Sequence, residues 1–433
     1  MRFEDSLRRR QWPTVLGYGL FVALLAAGYY YNVTLVQLGV LDLGTRLVGL
    51  SESAVSAWMA ALALCTLVVA VATGVWMDRR GWTTDFRTKL RLLFAVVCVQ
   101  FALTLVAPAI RSVPGFGAWI VAVSVGLGVG VPVSFSLTID LVAVPDRGYV
   151  AAAITALAYL AANAVPLPWS IEAFSAVFVA AMAPGLVVLG VLAFGRFEPV
   201  ESLVATLGTQ HREFGTGRFC RSDPIRTTSP TFLAALALVF GVFFVDSLGF
   251  LRIVDTPALV LTAWQSPAYS TRLFIAGAHV VGAVMAGVIY VNFQLERVFL
   301  WTFALFALTH VAYTSDFRLA ALFPSLSRGL ASPLDPALYA VAVSFYTTLN
   351  FALWPDLSTA RTVGTRAAIG VGVGGWLATF LSTALALSFQ ATDLPLLSHF
   401  NVVQALSLLL LFGVAAGTYL RRLTAHAREG EPA

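Results

Sequence analysis

Charge is scarce in this sequence: Asp, Glu, Lys and Arg make up 11% of its 433 residues, while 59% are hydrophobic and the mean hydropathy is +0.84. A soluble fold, typically about half apolar and a quarter charged, is excluded. Lysine is nearly missing, with Lys89 alone among 27 basic residues; this reads as a compositional bias and carries no functional argument. Cysteine is limited to Cys65, Cys98 and Cys220, two in apolar runs and one in a polar stretch, which excludes a disulfide framework or a cysteine metal cluster. Period-two alternation over roughly 10-residue segments is absent, which removes a transmembrane barrel. The glycine runs Gly126–Gly130 and Gly370–Gly375 lack a following Lys-Ser/Thr and lie in apolar segments, so they are no phosphate loop. Neither a local Ser/His/Asp set nor a histidine metal spacing is visible. The chain is therefore expected to be neither an enzyme nor a cofactor carrier.

What is present is a series of long apolar runs, each near the roughly 20 residues that cross a hydrocarbon core. Only helices satisfy their own backbone there, so the fold class is all-α and polytopic. Twelve spans are read near 14–36, 53–77, 90–109, 118–144, 150–168, 173–194, 230–251, 272–292, 298–313, 336–354, 364–389 and 400–420. The first follows Arg8, Arg9 and Arg10 without a small-residue cleavage site and is read as an uncleaved helix. Threading these spans places 21 basic residues on one face and six on the other, with none deep in a helix. Basic loops stay cytoplasmic, so both termini are expected inside, in the cell membrane. The net charge of +5 is this topogenic charge and needs no nucleic-acid partner.

The longest polar stretch, 197–229, separates six spans from six. The expected organisation is an N-terminal bundle over 1–195, a cytoplasmic linker over 196–229 and a C-terminal bundle over 230–433. The halves echo each other. Trp12-Pro13-Thr14 and Ser229-Pro230-Thr231 each open a span, 217 residues apart. Tyr29-Tyr30-Tyr31-Asn32 and Phe243-Phe244-Val245-Asp246, 214 apart, each set aromatics before a polar group. Parallel internal repeats around a central cavity are a transporter architecture.

The turn after span two, Gly74-Val75-Trp76-Met77-Asp78-Arg79-Arg80-Gly81, resembles the Gly-x-x-x-Asp-Arg-x-Gly signature of the major facilitator superfamily, in sequence and in position. Pro145-Asp146-Arg147-Gly148 is similar to that family's short fourth loop. The resemblance implies the two-bundle fold, with Asp78 and Arg79 setting the conformational equilibrium and Asp140, near the inner end of helix four, joining their cluster. It also implies that helices one, four, seven and ten line the cavity. The departures are specific. Trp82 stands where a basic residue commonly follows the second glycine, leaving Arg80 as its replacement. An arginine within helix four and a Gly-Pro signature in helix five (Ala151 to Pro168) are both missing, which argues against a multidrug:proton exchanger.

Ionisable groups inside spans are costly and mark functional candidates. Asp246 lies about 24 Å along helix seven and His279 about 10 Å into helix eight, so the two are expected at similar heights, lining the cavity and pairing. The plainer reading is that Asp246 tethers its helix through Arg252 and that His279 is a packing residue. Tyr31 and Asn32 on helix one, Tyr159 and Asn163 on helix five, Tyr346 and Asn350 on helix ten, and Trp376 on helix eleven complete the candidate substrate or coupling set. Aromatics with amides and no inward Arg or Lys suit a small neutral or weakly amphipathic organic solute. The expected function is secondary transport by alternating access, with membrane lipids as surroundings and a proton or sodium as the coupling ion. An intramembrane lipid-handling enzyme and a non-transporting sensor are the alternatives.

Overall fold

In the computed structural model the chain is described over residues 3–35, 39–164, 170–210, 212, 217–219, 229–254, 256–261, 263–322 and 333–429. Its spanning helices are α1 (Trp12–Thr34), α2 (Glu52–Arg80), α3 (Phe86–Val106), α4 (Val113–Leu141), α5 (Arg147–Ala164) and α6 (Ile171–Phe194). In the second half follow α7 (Pro230–Val254), α8 (Tyr269–Asn292), α9 (Leu295–Leu322), α10 (Leu334–Asp356), α11 and α12 (Leu396–Glu429). Helix α11 runs Val363–Ile369, widens to a π-helix over the glycine-rich Gly370–Leu377 and resumes over Ala378–Ala391. No strand occurs among the described residues, so the all-α reading holds. Eleven of the described helices are long and apolar enough to cross a membrane. The twelfth expected span is α5, which opens on Arg147 and is described for 18 residues; residues 165–168 of that expectation lie outside the described part, as do Cys220 and much of the linker.

Local chemistry fixes the helix ends. The hydroxyls of Ser51, Ser112 and Ser170 accept the Ala54, Gly115 and Ala173 amides at the starts of α2, α4 and α6, and Ser229 accepts the Phe232 amide at α7. Gly81 ends α2 at φ 71°, a left-handed cap open to glycine at no steric cost. Asp85 then caps α3, accepting the Arg87 and Thr88 amides. The tight α2–α3 turn of the signature motif follows from these two residues. A further amphipathic helix, Glu198–Thr209, lies in the linker with Val200, Val204 and Leu207 buried.

The face carrying the α2–α3 turn is here called the basic face. Near it the two halves cross twice: α2 on α11, and α5 on α8. Both crossings place glycine on glycine. A Cβ on Gly74 would collide with the Gly364 carbonyl, and one on Gly287 would come within 2.8 Å of the Gly148 carbonyl oxygen. Gly148 and Gly364 are 216 residues apart, Gly74 and Gly287 213, so the crossings follow the repeat. Small residues at such points let backbones approach and replace side-chain interlocking with contacts that separate cleanly. Gly74→Ala and Gly148→Ala should therefore shift the protein away from this closed arrangement, read as an increased long-distance fraction between spin labels on the α2–α3 and α10–α11 turns; unchanged distances would show that the crossings do not hold the basic face shut.

Candidate functional site

Midway along the bundle, side chains from both halves converge on α10, whose central turns present Tyr339, Ser344, Tyr346 and Thr347. Asp246 of α7 is buried, and its carboxylate accepts the Tyr346 hydroxyl at 2.6 Å and the Tyr339 hydroxyl on its other oxygen. Acceptance of two O–H donors is how a carboxylate in a dry interior is kept solvated. His279 of α8 shares a hydrogen bond with Ser344 Oγ through Nδ1 at 2.8 Å, and its ring stacks on Tyr159 with centroids 4.2 Å apart. Tyr159 of α5 in turn bonds the Tyr29 hydroxyl of α1 at 3.0 Å and Thr347 Oγ1 at 3.2 Å. Phe351 of α10 packs edge-on against Tyr29 and stacks on Phe135 of α4. Helices α1, α4, α7 and α10 thus all reach this centre, joined by α5 and α8.

Several expectations are corrected. Asp246 and His279 do not pair: no hydrogen bond or ion pair joins them among the described residues, and each engages α10 through different residues. Arg252 is not the partner of Asp246 either. Tyr31 turns away from the centre. Its hydroxyl meets Thr104 at 2.7 Å and its ring packs on Phe174 and Phe178, inside the N-terminal half. The inward aromatic of the Tyr29–Tyr31 run is Tyr29, two residues earlier and so on a different face of the helix. Asn32 is half-buried with Oδ1 lacking a partner among the described residues. Asn350 accepts the Trp354 indole N–H at 2.8 Å, one turn from Tyr346 toward the basic face. Tyr346 is in the centre as expected. Asn163 donates to the Tyr159 carbonyl of its own helix, and Trp376 is half-buried in the π-helical part of α11.

At the basic face, Asp78 accepts the backbone amides of Gly364 and Thr365 at 3.1 and 2.7 Å. A carboxylate from one half therefore caps the first turn of a helix in the other, where the helix dipole favours negative charge. Arg79 and Arg80 are exposed, and Arg79 forms no ion pair among the described residues. Asp140 does not join Asp78. It is ion-paired with Lys89 of α3, and that ammonium also donates to the carbonyls of Thr83 and Ser136. Three basic residues are nonetheless buried at helix ends: Lys89, Arg147 and Arg366 lie in the first turns of α3, α5 and α11, none of them deep in a helix.

The contact that sequence reasoning missed is Arg147–Asp356, 2.6 Å apart, with neither side chain exposed. It links the start of α5 to the end of α10, and so one half to the other. Asp356 also accepts the Tyr290 hydroxyl at 2.7 Å and the Arg218 backbone amide at 3.3 Å. The Arg218 guanidinium donates to the Tyr290 and Phe293 carbonyls at the end of α8, which ties the linker to the same place. A signal for Asp356 existed: it follows Asp140 by 216 residues, the repeat offset.

Neither a protein-family model nor a curated protein matches the chain. Among solved structures it is similar to the proton:xylose symporter XylE bound to 6-bromo-6-deoxy-D-glucose, at 16% identity and TM-score 0.58 over 93% of this chain and 94% of that one. It is likewise similar to the human organic anion transporter MFSD10, at 16% identity and TM-score 0.58 over 94% and 99%. A bacterial homologue of the iron transporter ferroportin in its outward-facing state aligns at 14% identity and TM-score 0.55 over 94% and 98%. The chain has the major facilitator fold. Within that fold, removing one partner of a buried ion pair typically costs about 3–5 kcal/mol. Arg147→Gln or Asp356→Asn should each lower the thermal unfolding midpoint in detergent, and the double variant should lose less than the sum of the two. Additive losses would show that the pair is not coupled.

Proposed function

We propose that this protein is a secondary transporter that moves a small, neutral or weakly amphipathic organic solute by alternating access. The carrying observation is the arrangement of contacts between the halves. At the basic face they include two glycine crossings, a carboxylate capping a helix and one ion pair, contacts that can be exchanged between two states. Residues 1–195 and 230–433 then act as two bodies joined by 196–229, with the present arrangement closed at the basic face. Following the distribution of basic residues, that face is cytoplasmic in the cell membrane and carries both termini. Asp78 and Asp356 hold the closed state, and Arg79 acts only once α11 has moved.

The central cluster supports the solute class. Tyr29, Tyr159, Thr347 and Phe351 offer hydroxyls and ring faces, and Asp246 is its only charged side chain among the described residues. The fold neighbours whose titles name a sugar, organic anions or iron show how little the fold alone decides about cargo. Asp246 is the coupling residue, and the coupling ion is a proton. Both carboxylate oxygens already accept tyrosine hydroxyls, which a sodium ion would have to displace, whereas a proton needs only to reverse one hydrogen bond.

The test is a thermal-shift screen of purified protein against sugars, amino acids, organic acids, nucleosides and amphipathic drugs, followed by uptake of each binder into proteoliposomes. A ligand at 100 times its Kd should stabilise by about 2.7 kcal/mol. Asp246→Asn should abolish proton-driven accumulation while leaving equilibration down a gradient. If no binder is transported, the transporter reading fails; if the variant accumulates solute as the wild type does, the role of Asp246 fails alone.

A further inference from the structure

A groove of about 630 Å³ runs along the basic face between the first turns of α1 and the linker helix Glu198–Thr209. Its walls include Trp12, Leu16 and Gly19 from α1 and Pro199, Leu203 and Thr206 from the linker helix. Trp12 is 62% exposed and Leu16 46%, so α1 presents a strongly apolar surface just where it enters the membrane. The opposite side of the linker helix is committed elsewhere: Val200, Val204 and Leu207 are buried, and Glu201 lies 3.9 Å from Arg87 of α3.

Basic residues adjoin this groove in sequence, on a segment that is held in place. Arg8, Arg9 and Arg10 are all exposed and lie just before Trp12. They are no free tail, because the preceding helix Phe3–Arg8 is anchored. The Phe3 amide donates to Asp146 at 2.7 Å, and its ring packs on Tyr18. Arg8 is occupied by Glu4 of its own helix, which leaves Arg9 and Arg10 as the nearer cations. On the other side, Gln210 donates to Thr14, and exposed Arg212 follows two residues later.

We propose that this groove binds an anionic phospholipid, one acyl chain lying against Trp12, Leu16, Gly19 and Leu203 and the phosphate facing Arg9 and Arg10. A lipid meets both halves of the site at once, because its chain continues into the bilayer along α1 while its headgroup remains at the level of the basic triplet. Trp12 at the start of a span is where aromatic side chains gather at the headgroup boundary. Basic residues at a membrane surface attract anionic lipid strongly enough that each is expected to change affinity about fivefold. A helical protein partner would place apolar side chains in the groove but leave the arginines without complementary charge. The proposal is independent of what the protein carries.

Gly19 allows a clean test, since a Cβ built there meets nothing within 4 Å. Gly19→Leu therefore starts from an unobstructed Cβ and places an apolar side chain in the groove wall. Delipidated protein is titrated with phosphatidylglycerol or phosphatidylcholine and read by native mass spectrometry, with the melting temperature measured alongside. The wild type should retain phosphatidylglycerol in preference to phosphatidylcholine. Arg9→Gln/Arg10→Gln should lose about fivefold affinity per arginine for the anionic lipid only, and Gly19→Leu should lose bound lipid while keeping its helical circular dichroism. Equal retention of the two lipids, undiminished phosphatidylglycerol binding by Gly19→Leu, or a co-purifying protein occupying the groove in place of lipid would overturn the proposal.

Discussion

A charge buried in a membrane protein must be answered by another, and at the basic face that requirement couples the halves through Arg147 and Asp356. It is the one ion pair across them among the described residues. Around it the local structure completes the carboxylate, while Nε and Nη2 of Arg147 have no partner among the described residues. Tyr290 and the linker amide of Arg218 supply further donors to Asp356, and the latter exists only because Gly217–Phe219 folds back onto the ends of α8 and α10. Separation of the halves at this face takes Arg147 from Asp356, but Tyr290 and Arg218 belong to the side on which Asp356 stays. The carboxylate therefore retains two donors when its counter-charge leaves. On the proposed reading, that lowers the cost of separating the halves at this face.

The same division appears in the other basic-face contacts. Asp78, partly buried, holds amides across the boundary, whereas the buried Lys89 and Asp140 are paired within one half. On the proposed reading, one set is exchanged and the other holds a bundle together. The repeat relates Asp140 to Asp356, yet one serves inside its half and the other between halves. Duplicated positions have thus kept their carboxylate while changing partner.

Much of this architecture is legible in the sequence because the membrane imposes it. Apolar length gives the spans, and the arginine distribution gives the faces. Gly81 and Asp85 give the α2–α3 turn, since a left-handed cap and an N-cap are local signals. What is not legible is which partner a buried polar group takes. Asp246, Asp140 and Asp78 stand out as costly residues, but their partners lie 93 or more, 51 and 286 or more residues away and are set by helix rotation. A rotation of two residues along α1 exchanges Tyr31 for Tyr29 as the residue at the centre. The crossing glycines Gly74, Gly148, Gly287 and Gly364 are not legible as sites of close approach, because the helix each one meets is set by packing, and their two-fold correspondence becomes visible only when both crossings are seen together.

That correspondence sharpens the asymmetry at the centre. From the N-terminal half come two tyrosine hydroxyls, Tyr29 and Tyr159, and the ring of Phe135; from the C-terminal half come a carboxylate, an imidazole and the hydroxyls of α10. Tyr159 contacts both sides, bonding Thr347 while stacking on His279. On the proposed reading, a solute entering here must break the contacts of Tyr159 to take its place, so that binding and loosening of the two halves at mid-membrane are the same event. Asp246 accepts the hydroxyls of Tyr339 and Tyr346 of α10, so a proton placed there would act on those tyrosines rather than on the solute directly. On the proposed reading, the proton alters the pose of α10, the helix that also ends in Asp356. Charge at the centre and closure at the basic face are then two ends of one helix, which is the physical connection that coupled transport requires.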